Sequence, residues 1–68
     1  MTNKEMDIGM LVKIKDGFKV NPNEDPLFMI IDEFEEGDET VFVLECLSHN
    51  SMKEYVDPRE LHHCYYPV

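Results

Sequence analysis

Leu27-Phe28-Met29-Ile30-Ile31-Asp32-Glu33-Phe34-Glu35-Glu36-Gly37-Asp38-Glu39-Thr40-Val41-Phe42-Val43-Leu44-Glu45-Cys46-Leu47-Ser48 is the stretch on which the fold turns. Two arms rich in Val, Ile, Phe and Leu flank Glu36-Gly37-Asp38-Glu39, where glycine and aspartate supply a turn. The arms predict strands from Leu27 to about Glu35 and from Thr40 to about Ser48, forming the longest hairpin of the chain. With the loop centred on Gly37-Asp38, residues whose numbers sum to 75 oppose each other and share a sheet face. Leu27, Met29 and Ile31 then gather with Phe42, Leu44 and Cys46 on the expected core face. The other face pairs Phe34 with Val41, Asp32 with Val43, Ile30 with Glu45 and Phe28 with Leu47. It is more apolar than a solvated antiparallel surface should be. Either the strands bend until both faces are partly buried, or Phe28, Ile30, Phe34, Val41, Val43 and Leu47 form a protein-binding surface.

Outward from the hairpin, Met10-Leu11-Val12-Lys13-Ile14-Lys15 alternates with Val12 and Ile14 inward, which predicts a first strand closed by Asp16-Gly17. Phe18 to Pro26 holds Asn21-Pro22-Asn23 and Asp25-Pro26, a composition that suits a long loop. On the C-terminal side, His49-Asn50-Ser51 reads as a turn and Met52 to Val56 as a short fourth strand. In Asp57-Pro58-Arg59-Glu60-Leu61, Asp57 serves as N-cap and Pro58 as the first position of one helical or 3₁₀ turn. His62 to Tyr66 is the expected last strand, ended by Pro67. The whole chain, 1–68, makes a single small β-barrel domain whose first seven residues are expected to be flexible.

This order of strand, long loop, long hairpin, short strand, helical turn and strand resembles the Src-homology-3-like small β-barrels. The stretch Gly9-Met10-Leu11-Val12-Lys13-Ile14-Lys15-Asp16-Gly17-Phe18-Lys19 is similar to the opening of the KOW motif, and to that of short uncharacterised bacterial barrel proteins. The resemblance implies an all-β, five-stranded, partly open barrel with one helical or 3₁₀ turn before the last strand. Val20 stands where a KOW segment has a further glycine, and the chain is acidic, so RNA and ribosome binding do not carry over. It contains no Trp, so proline-rich peptide binding does not carry over either.

Fifteen acidic residues against six basic ones give a formal charge of −9. Nucleic-acid affinity comes largely from Lys and Arg displacing counterions, so direct nucleic-acid binding is disfavoured. Asp32, Glu33, Glu35, Glu36, Asp38 and Glu39 put six carboxylates into eight residues at the hairpin tip, with Glu36 facing Glu39. Such a tip solubilises an edge, meets a basic partner, mimics nucleic acid, or holds a cation, although its spacing does not match an EF-hand. Met1 to Asp7 is polar with no apolar segment after it, and Cys46 and Cys64 read as free thiols, so a cytoplasmic location is expected. No apolar run approaches the roughly 20 residues of a membrane span.

A Cys₂His₂ zinc site can be drawn from Cys46, His49, His62, His63 and Cys64, but Cys46 belongs to a core strand and no tight ligand pairs emerge. Neither metal nor cofactor is expected. A nucleophile at Cys64 or Ser51 would need a base and an oxyanion hole that nothing here supplies, so no enzymatic activity is expected. Phe18, Tyr55, Tyr65 and Tyr66 form a candidate aromatic groove between the long loop and the helical turn, or else close the barrel. The chain thus reads as a non-enzymatic protein-binding module that associates with itself as a homodimer and offers an acidic surface to a basic protein. The alternative is an acidic nucleic-acid mimic that inhibits a nucleic-acid-binding protein.

Overall fold

Alternation in Leu11-Val12-Lys13-Ile14 produces β1 (Leu11–Ile14), and a short 3₁₀ turn at Asp16–Phe18 follows it. The computed structural model describes residues 6–48 and 52–68 of the chain. β2 (Leu27–Glu36) and β3 (Glu39–Cys46) form the long hairpin, and β4 (Lys53–Val56), α1 (Pro58–Cys64) and β5 (Tyr65–Pro67) complete the fold. Gly37 occupies the turn with φ 65°, a left-handed conformation that glycine adopts without steric cost. The expected turn at His49-Asn50-Ser51 lies outside the described residues.

All pairings are antiparallel, in the order β4-β3-β2-β1-β5. The fold is therefore all-β and partly open, with a helix before the last strand. β4 and β5 remain edges, and the sheet does not close into a barrel. That corrects the resemblance to Src-homology-3-like barrels, whose closure this sheet lacks.

The hairpin register departs from the expected one at a single residue. Near the tip, Phe34 opposes Val41 and Asp32 opposes Val43, pairs whose numbers sum to 75. Beyond a bulge at Ile31, Ile30 opposes Leu44 and Phe28 opposes Cys46, pairs that sum to 74. Three demands conflict without the bulge. The Gly37 turn pairs even residues of β3 with odd residues of β2, and β3 must turn Phe42, Leu44 and Cys46 inward. β1 turns Val12 inward and pairs it with Phe28, so β2 must place an even residue on that same face. One extra residue in β2 satisfies all three.

Phe28 and Ile30 consequently enter the core, 5% and 0% exposed, rather than lining the outer hairpin face as the sequence suggested. Leu27, Met29 and Ile31, expected inside, are half-buried and outside the core cluster. That cluster unites Phe28 and Ile30 with Val12, Leu44, Cys46, Val56, Leu61 and Tyr65. Met6 also packs into it.

α1 is longer than the single turn expected, and His62 and His63 lie in the helix rather than in the last strand. Asp57 caps it as foreseen, its Oδ1 accepting the Glu60 N–H at 2.7 Å, with Pro58 in the first turn. The extension is held from outside. The Lys15 N–H donates to the Cys64 carbonyl at 2.8 Å and the Lys15 ammonium to the His62 carbonyl at 3.2 Å, satisfying acceptors that a helix C-terminus leaves open. Among the described residues, no helix is long and apolar enough to cross a membrane.

Candidate interaction surface

Opposed residues share a face, so the side of the hairpin away from the core carries Phe34, Val41 and Val43, joined by Tyr55 of β4 opposite Val43. Two strand spacings separate β2 from β4, about 9.6 Å. The rings of Phe34 and Tyr55 nevertheless meet edge to face with centroids 6.4 Å apart, so both lean in over β3. Val43 beneath them is only 6% exposed although it lies outside the core cluster. The rings themselves stay 41% and 61% exposed. Leu47 reaches the same face at the far end, where its N–H donates to the Leu27 carbonyl at 2.8 Å.

Of the six residues expected on this surface, Phe34, Val41, Val43 and Leu47 are there, while Phe28 and Ile30 belong to the core. Tyr55, expected in the aromatic groove, is a further member of this face. Met29 and Leu11, paired with each other on this face, were missed because a uniform register was assumed. No local signal marks them, because Leu27 to Ile31 is a continuous apolar run that fits either register.

Asp32, Glu33, Glu35, Glu36, Asp38 and Glu39 are all exposed, and Glu36 does oppose Glu39. Ion pairs among the described residues form elsewhere. Asp25 accepts from Lys13 at 2.8 Å and from Lys19 at 3.2 Å, and Lys19 also reaches Asp16 at 3.1 Å. The Lys13 hydrogen bond, then that of Lys19, holds the Asp25 carboxyl below its ordinary range; Asp25 raises the Lys13 ammonium, and Asp16, then Asp25, raises that of Lys19. This clip fastens the loop between Lys19 and Pro26 to β1. It also occupies two of the six basic side chains, and Lys15 is engaged at the helix end.

The expected aromatic groove does not form, because its members disperse. Phe18 packs edge to face on His63 with centroids 4.9 Å apart, Tyr65 packs on Phe28 in the core at 5.6 Å, Tyr55 is on the outer face, and Tyr66 opposes Lys13 on β5. Strand alternation sends Tyr65 and Tyr66 to opposite faces. Burial, then the charges of Glu54 and Glu60, pushes the Tyr65 phenol up to about 12. Cys46 is buried and Cys64 half-buried, both as free thiols, and the described residues hold no group of His, Cys, Asp and Glu arranged to bind a metal ion. His49 lies outside them.

Compared with protein-family models, with curated proteins and with solved structures, the chain finds no match in any of the three. The similarity of its opening to the KOW motif and to short bacterial barrel proteins therefore gains no support from relatives, alongside the lack of barrel closure.

Proposed function

We propose that this small open-sheet domain is a protein-binding module whose docking surface is the outer face of β2, β3 and β4, centred on Phe34, Val43 and Tyr55. One observation carries the reading: two aromatic rings roof a buried valine on a face away from the core and still expose about half their surface. Exposed aromatic pairs over an apolar floor are the usual anchors of protein interfaces. The partner is basic around an apolar centre. The six carboxylates of the neighbouring tip favour such a partner, because complementary charge speeds encounter and rejects acidic competitors.

Capture from a lysate of the source cells tests this, using the immobilised domain beside a Phe34→Ser/Tyr55→Ser variant and a variant with Glu35, Glu36, Asp38 and Glu39 neutralised. A basic protein held by the native domain, lost by the first variant and weakened by the second, is the expected result. Capture unaffected by the aromatic substitutions would overturn the proposal. Sedimentation of the domain alone examines the homodimer. A mass that rises with concentration and returns to the monomer in the Phe34→Ser/Tyr55→Ser variant would make a second copy the occupant of this face.

A further inference from the structure

The sheet has two edges, and they differ. β5 is three residues long and ends on Pro67, which has no N–H to offer a neighbour, so this edge is blunted. β4 contains neither proline nor bulge, and Lys53, Glu54 and Tyr55 are exposed along it. Antiparallel pairing alternates hydrogen-bonded with non-hydrogen-bonded pairs. The Cys46 N–H donates to the Met52 carbonyl at 2.7 Å. Counting on by twos, Met52, Glu54 and Val56 turn their backbone groups toward β3, while Lys53 and Tyr55 turn theirs to the open edge.

The surroundings of this edge select what would pair with it. A groove of about 280 Å³ beside it is floored by Phe28 and Cys46, flanked by the exposed apolar side chains of Val20 and Met52, and rimmed by Glu24 and Glu54. Among the described residues, neither of these two glutamates takes part in an ion pair.

We propose that the free edge of β4 takes up an extended basic segment of a partner protein as an added strand. The backbones of Lys53 and Tyr55 pair with it, an apolar side chain enters the groove beside Met52, and Lys or Arg side chains meet Glu24 and Glu54. This rests on the protein-binding reading above and supplies the form of the partner. It also joins the two surfaces, since Tyr55 presents its backbone to the edge and its ring to the outer face. A second copy of β4 suits the edge less well. Setting Lys53 opposite Tyr55 of the copy brings Glu54 against its own counterpart in a non-hydrogen-bonded pair, where side chains are closest and like charges repel.

The test uses the full chain, isotopically labelled, and two synthetic peptides: acetyl-(Lys-Val)₄-amide, and the same peptide methylated on every backbone nitrogen. The first is expected to slow hydrogen exchange at the Lys53 and Tyr55 amides on binding. The second, with identical charge and side chains but no backbone N–H groups, is expected to bind at least tenfold more weakly. Tyr55→Pro removes an outward N–H where an edge strand tolerates proline, and is expected to weaken binding roughly fivefold, while Tyr55→Val keeps more of it. Should that variant misfold, the methylated peptide still decides. Equal binding of the two peptides would overturn the edge inference and leave the protein-binding reading standing, as would loss of binding in Phe34→Ser with none in Tyr55→Pro. No binding of either peptide at low salt, or concentration-dependent protection of Lys53 and Tyr55 without peptide, would overturn the choice of occupant.

Discussion

Deleting Ile31 from β2 is expected to leave this domain folded with its hairpin pairs intact. Ile30 opposes Leu44 and Asp32 opposes Val43 on either side of the bulge, so removing the residue between them makes these pairs consecutive and moves no side chain to the other face. The loss is one half-buried isoleucine. Full burial of such a side chain is worth about 1.5–3 kcal/mol, so the expected cost is about 1–2 kcal/mol. A domain of this length has about 3–10 kcal/mol in all, so the variant remains folded at room temperature. Urea denaturation should show its midpoint lowered by about 1–2 M at an m-value near 1 kcal/mol/M. NMR should still find the Phe28 ring against Tyr65, and β2 less sharply bent. Ile30→Ala, at a fully buried position, is the contrasting variant and should cost about 2–5 kcal/mol. If the register were uniform instead, the deletion would exchange the two faces of β2. An unfolded deletion variant, or a folded one with Met29 in place of Phe28 against Tyr65, would refute the bulge.

Asp57→Ala removes the acceptor of the Glu60 N–H and should lower stability by about 1 kcal/mol, read as a shift in the urea midpoint, with Asp57→Ser recovering most of it. The clip of Asp25 with Lys13 and Lys19 depends on pH at both ends. Because the Asp25 carboxyl is depressed below its ordinary value of 3.8, its contribution is complete above that value and disappears as pH falls through the lower, folded one. Both lysines are raised above 10.5, so their contribution is complete below that value and is lost as pH rises past it. Amide protection in the loop between Lys19 and Pro26, taken relative to intrinsic exchange, should therefore fall under strong acid, and Asp25→Asn should abolish that acid dependence while leaving Lys19 paired with Asp16. Tyr65 is held neutral by burial, with its folded value about 12 against an ordinary 10, so its contribution is complete below pH 10 and is lost between 10 and 12. The phenolate absorbance that disappears on Tyr65→Phe should titrate near pH 12, and a component titrating near 10 would contradict the packing of Tyr65 on Phe28.

Much of the element order could be read from local chemistry. Alternation around Val12 and Ile14, the Gly37 turn and the Asp57-Pro58 cap each act within a few residues, and each forms where the sequence placed it. The length of α1 was not legible. Its last carbonyls are satisfied by Lys15, 47 residues before His62, and no local propensity reports that bond. The outer-face surface was half legible. Phe34, Val41 and Val43 lie between the turn and the bulge, where the assumed register holds, whereas Phe28 and Ile30 lie beyond it.

By itself, then, the sequence determined the all-β class, the hairpin turn at Gly37 and the surplus of carboxylates, since these depend on composition and on neighbours along the chain. Tertiary structure alone decided which face of β2 is inside, that the sheet stays open, and that β4 is one of its edge strands. Strand parity is a relation among β1, β2 and β3 together. Each strand alone permits either face, and only their simultaneous pairing requires the extra residue at Ile31.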